Sequence, residues 1–345
     1  MSERRTRTYR EAGVDRRRAE EARARIAELV RSTATGVAAQ SFGRFGGLFP
    51  VPAGRERVLV ASADGVGTKL KVAVIAGRHD TVGQDLVNHC VNDVLCEGAR
   101  PLFFLDYIGA GTLDPAVVEA VVEGLARACR ENDCVLLGGE TAEMPGLYPA
   151  GEYDLVGFLV GGVERARLLH ASQVQAGDVL IALPSSGLHT NGYTLARAIV
   201  FETMGLEVGD PFPETGASVA DTLLAVHRSY YRPLYPEIEA GRVRSIAHIT
   251  GGGIPGNLSR ALPPDLDAVV DRASWEVPAV FRVLAREGGV ADDEMLETFN
   301  MGVGMVAIVE PGVADEALRG LRDRGEPAAW VCGVVESGRG RVRWA

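Results

Sequence analysis

Apolar positions along the chain fall in short runs that alternate with longer amphipathic stretches. "RVLVASA" (57–63) reads as a strand that runs straight into the polar turn Asp64-Gly65-Val66-Gly67-Thr68-Lys69. "DTVGQDLVNHCVNDVLCE" (80–97) carries a helical period, with Asp80 as its N-cap. "PLFFLDYI" predicts a strand, 115–130 a helix, "CVLLG" a strand, and "YDLVGFLVGGVE" (153–164) a long strand. "RARLLHASQVQAGD" reads as a connection between domains. The grammar then repeats. "DVLIALP" predicts a strand and "SSGLHTNG" a glycine turn that opens a helix over 193–203. "SIAHI", "LDAVV", "GVGMVAIVE" and "AAWVCGVVE" follow as strands, with helices over 279–287 and 314–324. Each half has a strand, a polar glycine turn and a helix near its start, a weak signal of two related α/β domains. The boundaries read as an arm and glycine-rich loop over 1–56, a first domain over 57–165 and a second over 170–345. Within the arm, 14–31 reads as a helix. "SFGRFGGLFPVP" reads as a loop that either closes over a ligand or links arm to body.

The chain has 345 residues, 46% hydrophobic and 24% charged, so a sizeable core is expected. A net charge of −10 argues against nucleic acid and anionic membrane as partners. An anionic ligand must then be held locally, by backbone amides, a few cations and Mg²⁺. Five cysteines, none in a C-x-x-C pair, read as reduced and buried. No run reaches membrane-spanning length and the N-terminus lacks a signal-peptide core, so the expected compartment is the cytoplasm. Basic residues are almost all arginine; the two lysines are Lys69 and Lys71. A compact ammonium in a glycine turn suits a point contact with phosphate.

Asp64, Asp93 and Glu140 form the first constellation. Asp64 and Glu140 sit just past strands, beside glycine turns, where open α/β sheets hold ligands. Asp93 lies at the border of the polar helix face formed by Asp85, Asn88, His89 and Asn92, so it must be partly buried and partnered. Each acid alone is better read as a cap; together they favour a magnesium site. Asp106 interrupts an apolar strand and is either hydrogen-bonded structure or an orienting group. "PSSGLHTNGYTL" (184–195) gathers Ser185, Ser186, His189, Thr190 and Asn191 before a helix start, a ready anion site. No G-x-S-x-G elbow supports a serine hydrolase. "TGGGIPG" (250–256) satisfies G-x-G-x-x-G, with Asp271 twenty residues on, but "NLSRAL" is too short for a dinucleotide-binding helix. Gly251, Gly252 and Gly253 read instead as a turn for close approach of a ligand. Asn300, beside Gly302 and Gly304, is mainly structural, with a ligand contact as its alternative.

Taken together, "TYREAGVD", "DGVGTKL", "CVND", "GARPLFFLDY", "GGETAEMPG", "DVLIALPSSGLHTNGY", "HITGGG" and "FNMGVGM" closely resemble the phosphoribosylformylglycinamidine cyclo-ligase (AIR synthetase) family over nearly the whole chain. The resemblance implies two mixed-sheet α/β domains, with the first-domain sheets of two subunits pairing into a barrel across a homodimer. It implies ATP-dependent closure of formylglycinamidine ribonucleotide to aminoimidazole ribonucleotide in purine biosynthesis, with ADP and phosphate released. By the same resemblance Asp64, Asp93 and Glu140 serve Mg²⁺–ATP and, with His189, make up the catalytic set. Gly65, Gly67, Thr68 and Lys69 meet phosphate, and Gly43, Gly46 and Gly47 lie in a loop that closes over the nucleotide. Ser185, Ser186, His189, Asn191 and Gly251–Gly253 face the ribonucleotide. A monovalent cation is a further candidate cofactor. A nicotinamide-dependent oxidoreductase and a non-catalytic nucleotide-binding dimer stay open as alternatives.

Overall fold

The computed structural model describes Thr8, Gly47–Pro50 and residues 56–345. The helix expected over 14–31 and the loop glycines Gly43 and Gly46 lie outside the described residues. Two mixed sheets follow one another along the chain. The first is ordered β1 (Gly47–Pro50), β2 (Arg57–Gly65), β5 (Tyr153–Glu164), β3 (Arg100–Ala110), β4 (Val135–Glu143). Its neighbours are antiparallel except for the parallel β3–β4 pair. The strand expected over 153–164 has those bounds, and alternate residues of it are buried, as a sheet with one covered face requires.

Among the described residues this domain has three helices: α1 (Lys69–Ala76), α2 (Asp80–Leu95) and α3 (Pro115–Glu131). The Asp114 carboxylate accepts the Ala116 N–H at 2.9 Å, and Pro115 fills the first turn, so α3 starts where its cap dictates. At α2 the cap residue is His79, and Asp80 is the first helical residue rather than the cap. Its charge still sits at the positive end of the helix dipole. The sequence pattern gives no helix for α1. In α2, all residues but Asp80 are buried. One side lies on the first sheet, another on α3, and the polar stripe faces the second domain.

The second sheet is ordered β11 (Val342–Trp344), β8 (Leu266–Val270), β10 (Trp330–Ser337), β6 (Val179–Pro184), β9 (Val303–Val309), β7 (Val243–His248). All neighbours are antiparallel except β11–β8. β9 is buried at every position, as expected for a strand covered on both faces. The helix expected over 193–203 is α4 (Tyr193–Arg197), continued by a π-helical stretch over Ala198–Thr203. The remaining helices are α5 (Val219–Leu223), α6 (Tyr231–Glu239), α7 (Gly253–Leu258), α8 (Ala279–Gly288), α9 (Asp292–Thr298) and α10 (Ala314–Asp323).

Alternation along β6 divides the core. Ile181 and Leu183 join an apolar cluster that continues into the first domain through Leu86, Phe104 and Leu159. Leu180 and Ala182 join a separate cluster with Ile254, Leu258 and Val306. The two domains thus share one buried core and dock as packed bodies. Neither sheet closes into a barrel within the chain. No described helix is long and apolar enough to cross a membrane, and all five cysteines are free and buried.

Candidate active site

The polar stripe of α2 determines how the domains meet. Residues 225–230 of the second domain form no regular element, so their backbone groups need partners. The stripe provides them. Asp85 Oδ1 accepts the His227 N–H (2.6 Å), Asn88 Nδ2 donates to the His227 carbonyl (2.8 Å), and Asn92 Oδ1 accepts the Tyr230 N–H (3.0 Å). Asp85 also meets Lys69 Nζ at 2.7 Å, with both side chains wholly buried. Burial pulls the Lys69 pKa down and the Asp85 pKa up; their mutual attraction opposes both shifts. Lys69 Nζ further donates to the carbonyls of Ala225 (2.7 Å) and His189 (3.2 Å).

Four of the six histidines converge at this joint. His89, on α2, contacts Asp64 Oδ2 through Nε2 (2.8 Å) and Thr190 Oγ1 through Nδ1 (2.8 Å). His248, at the end of β7, contacts Asp93 Oδ1 through Nδ1 (2.9 Å) and His227 Nε2 through its own Nε2 (3.0 Å). The His227 Nδ1 lies 3.3 Å from Thr190 Oγ1, and its ring stacks on His189 at 4.0 Å between centroids. Ser62 lies two residues before Asp64 on the same strand face and donates to Asp93 Oδ2 (3.0 Å). Burial alone would lower the His89 pKa, but the Asp64, Asp93 and Asp85 carboxylates outweigh it and raise it to about 9. Burial works the other way on Asp64, yet the cationic His89 beside it holds its pKa below the usual carboxylate value. His189 and His227 are driven well below their ordinary value by burial and by neighbouring cations, and burial also lowers His248. All three are therefore neutral.

A cavity of about 360 Å³ opens above this joint. One wall is Asp64, Gly65, Gly67 and Thr68 from the first domain; the other is Thr190, Asn191, Gly192, Tyr193 and Thr194 from the second, with His89 at its base. The Thr68 and Thr194 hydroxyls pair across it at 2.9 Å. Two glycine turns, each opening a helix, face one another across it, an arrangement suited to phosphate.

Several expected residues lie elsewhere. Lys69 does not line the cavity, because its ammonium is fully engaged by Asp85 and two carbonyls. Lys71 instead forms a surface ion pair with Glu152. Glu140 does not join Asp64 and Asp93 within one chain. Across the sheet, Asp64 pairs with Gly157, Gly157 with Asp106, and Asp106 with Gly139. Glu140 is therefore on the opposite sheet face, three strands away, about 14 Å at ~4.8 Å per strand. There it is exposed and accepts the Thr141 N–H. Ser185 donates to Asn300 Oδ1 (2.9 Å), and Asn300 donates to the Gly187 carbonyl (2.8 Å), so Asn300 ties the 185–187 turn together. Ser186 Oγ donates to the Val226 carbonyl. The His189 ring accepts the Ser186 N–H and is buried below the cavity rather than lining it. At Gly253, φ is +60° and an added Cβ would lie 1.8 Å from the Leu296 carbonyl oxygen, so this glycine is required by the fold. Gly251 faces Asn191, and Gly252 opens α7. At six residues, α7 is too short for a dinucleotide unit, and Asp271 caps a 3₁₀ turn. Gly47 pairs with Ala61 in the first sheet.

His89, His227 and His248 are site residues that the motif reading missed. One signal for His89 was present: Asp85, His89 and Asp93 follow at i, i+4 and i+8 on one helix. Nothing local marks His227.

Family models match both halves of the chain. A family model for the AIR synthase related protein N-terminal domain matches residues 47–163, and one for the C-terminal domain matches 175–345. A phosphoribosylformylglycinamidine cyclo-ligase of Sorangium cellulosum is 51% identical over 333 residues, 96% of this chain and 95% of the relative. One of Synechococcus elongatus is 49% identical over 343 residues, covering 97% and 98%. Among solved structures, AaThiL complexed with AMPPCP and TMP aligns with a TM-score of 0.62 at 15% identity, covering 92% of this chain and 91% of that one. Hydrogenase maturation protein HypE in complex with ATP aligns with a TM-score of 0.63 at 19% identity, covering 91% and 88%. At such identities these two show the shared fold.

Proposed function

The chain belongs to the AIR synthase family, within its phosphoribosylformylglycinamidine cyclo-ligases, and from that premise we propose that the cavity between Asp64–Thr68 and Thr190–Thr194 is its active site. The enzyme closes formylglycinamidine ribonucleotide to aminoimidazole ribonucleotide with ATP, in purine biosynthesis. An amide oxygen is a poor leaving group; phosphorylation makes it a good one, and the neighbouring amidine nitrogen then attacks the carbon and expels phosphate. The protein's task is to position two anionic partners and stabilise phosphoryl charge. The observation that carries the assignment is the pair of opposed glycine turns, one per domain, with Asp64 in the first.

In this reading Gly65, Gly67 and Thr68 receive the ATP phosphates, and Asn191 and Thr194 orient the ribonucleotide from the other wall. The donor set fits Mg²⁺. Asp64 is 37% exposed, and each of its oxygens keeps a free lone pair beyond its contacts with Gly65 N–H and His89. Asp93 is held behind it by Ser62 and His248 as a second carboxylate. Bound there with nucleotide, the ion would neutralise phosphate charge. Lys69 fixes the joint beneath the site instead of touching phosphate.

The enzyme acts as a homodimer in the cytoplasm in this proposal. The outer face of the first sheet carries Phe158 and Leu105 in register, with Val135 and Leu137 on the neighbouring edge strand, all exposed. A contiguous apolar face of this kind calls for a cover, and a second copy supplies one by pairing sheet against sheet. Glu140 lies on that face, so its metal role is exerted on the partner subunit's site.

The test is direct. The protein is incubated with formylglycinamidine ribonucleotide and Mg²⁺–ATP, and aminoimidazole ribonucleotide is assayed. Asp64→Asn keeps the shape of the side chain and is expected to lower turnover about 10²–10³-fold with unchanged circular dichroism. Wild-type turnover in Asp64→Asn would remove Asp64 from the site.

A further inference from the structure

Five contacts link Asp64 to Asp93 through the second domain: Asp64–His89 (2.8 Å), His89–Thr190 (2.8 Å), Thr190–His227 (3.3 Å), His227–His248 (3.0 Å) and His248–Asp93 (2.9 Å). The path leaves the first domain at His89 and returns to it at Asp93. We propose that His227 is a positioning residue for the ring-closing reaction: one ring nitrogen holds Thr190 and the other holds His248, so that both carboxylates belong to a single hydrogen-bonded chain. This rests on the reading of the cavity as the active site.

The geometry supports a continuous chain. His89, Thr190, His227, His248 and Asp93 are all buried, so their ring nitrogens, hydroxyl and carboxylate must find partners within the protein. Each of the five contacts is 3.3 Å or shorter, and Asn92 Nδ2 lies a further 3.3 Å from His227 Nε2, which places the ring from the side of α2.

His227 touches neither carboxylate and does not line the cavity between the glycine turns. Its backbone is fixed by Asp85 and Asn88, and its ring is wholly buried against His189. Filling space would require only an apolar ring there. A metal centre is the competing use, since His189, His227 and His248 have nitrogens within reach of one ion. The His189 and His227 rings, however, lie at 18° to one another and 4.0 Å apart. In-plane lone pairs of stacked rings do not converge on one tetrahedral or octahedral centre.

The experiment compares wild type, Asp64→Asn, His227→Phe, His227→Asn and His227→Gln in the cyclo-ligase assay, with thermal unfolding as a check on folding. His227→Phe keeps the ring and loses both hydrogen bonds. Asn reaches Thr190 but not His248; Gln reaches His248 but not Thr190. The expected result is kcat lowered about 10- to 100-fold in His227→Phe, with both KM values within about 3-fold of wild type. Neither one-armed variant restores it. Wild-type kcat in His227→Phe, or recovery in either one-armed variant, overturns the proposal; if His227→Phe does not fold, the two polar variants decide. If Asp64→Asn retains turnover, the active-site reading falls and this proposal with it. If Asp64→Asn is crippled while His227→Phe is not, this proposal alone fails.

Discussion

At the scale of single residues, the histidines at the joint titrate in opposite senses, which makes stability depend on pH from both sides. His89 is raised to about 9, so its contribution is complete below its unfolded value near 6.5 and is lost as pH rises through about 9. His189, His227 and His248 are lowered, so they must be kept neutral, and their contribution is lost as pH falls below about 6.5. Stability of the metal-free protein should therefore peak near pH 6.5. The alkaline limb corresponds to about 3 kcal/mol at most. Calorimetry in chelator from pH 5 to 9.5 checks this: His89→Gln should flatten the fall in Tm above pH 6.5 and leave the acid limb in place. An unchanged alkaline limb would mean that His89 does not hold the charge.

At the scale of elements, the site depends on where α2 lies. α2 and α3 touch backbone to backbone: a Cβ added at Gly124 would come within 2.0 Å of the Asp80 carbonyl oxygen. Gly124→Ala should push the helices apart and lower stability by about 1–3 kcal/mol, read as a lower urea midpoint at unchanged m. No loss would mean that α2 has slack, and that the stripe from Asp85 to Asn92 is not held in register by this contact. Elements were the most legible part of the sequence. β5 has the bounds read for the run "YDLVGFLVGGVE", and α3 starts at Pro115, where a helix was expected. What period alone could not give was the meaning of the α2 stripe. Polar residues on one helix face ordinarily meet water; here they meet residues 225–230, some 140 positions away, in a segment with no period to read. Lys69 was misread for the same reason, because its partner Asp85 lies on another helix and no motif joins them.

At the scale of the whole molecule, the three acids pose a problem of geometry. Sequence put Asp64 and Glu140 beside glycine turns and Asp93 on a helix, but carried no strand register, and register alone decides sheet face. With Glu140 on the outer face beside Phe158 and Leu105, a chain acting alone has Asp64 at its cavity and Asp93 buried behind it, with Glu140 out of reach. A second copy packed on that face resolves the problem if each active site takes Asp64 from one chain and Glu140 from the other. Mixing tests it without a structure of the assembly. Asp64→Asn and Glu140→Gln should each be nearly inactive as homodimers. Unfolded together in equal amounts and refolded, half the dimers carry one of each, and one of their two sites has both native acids. About a quarter of wild-type turnover should return, by counting of sites in a two-fold dimer. Phe158→Glu in both chains places charge on the apolar face and should abolish the recovery, while sedimentation reports the mass of one 36.7 kDa chain. If both acids act from the same chain, every mixed dimer has one defect per site and no turnover returns, which would leave Glu140 without a catalytic role across the interface.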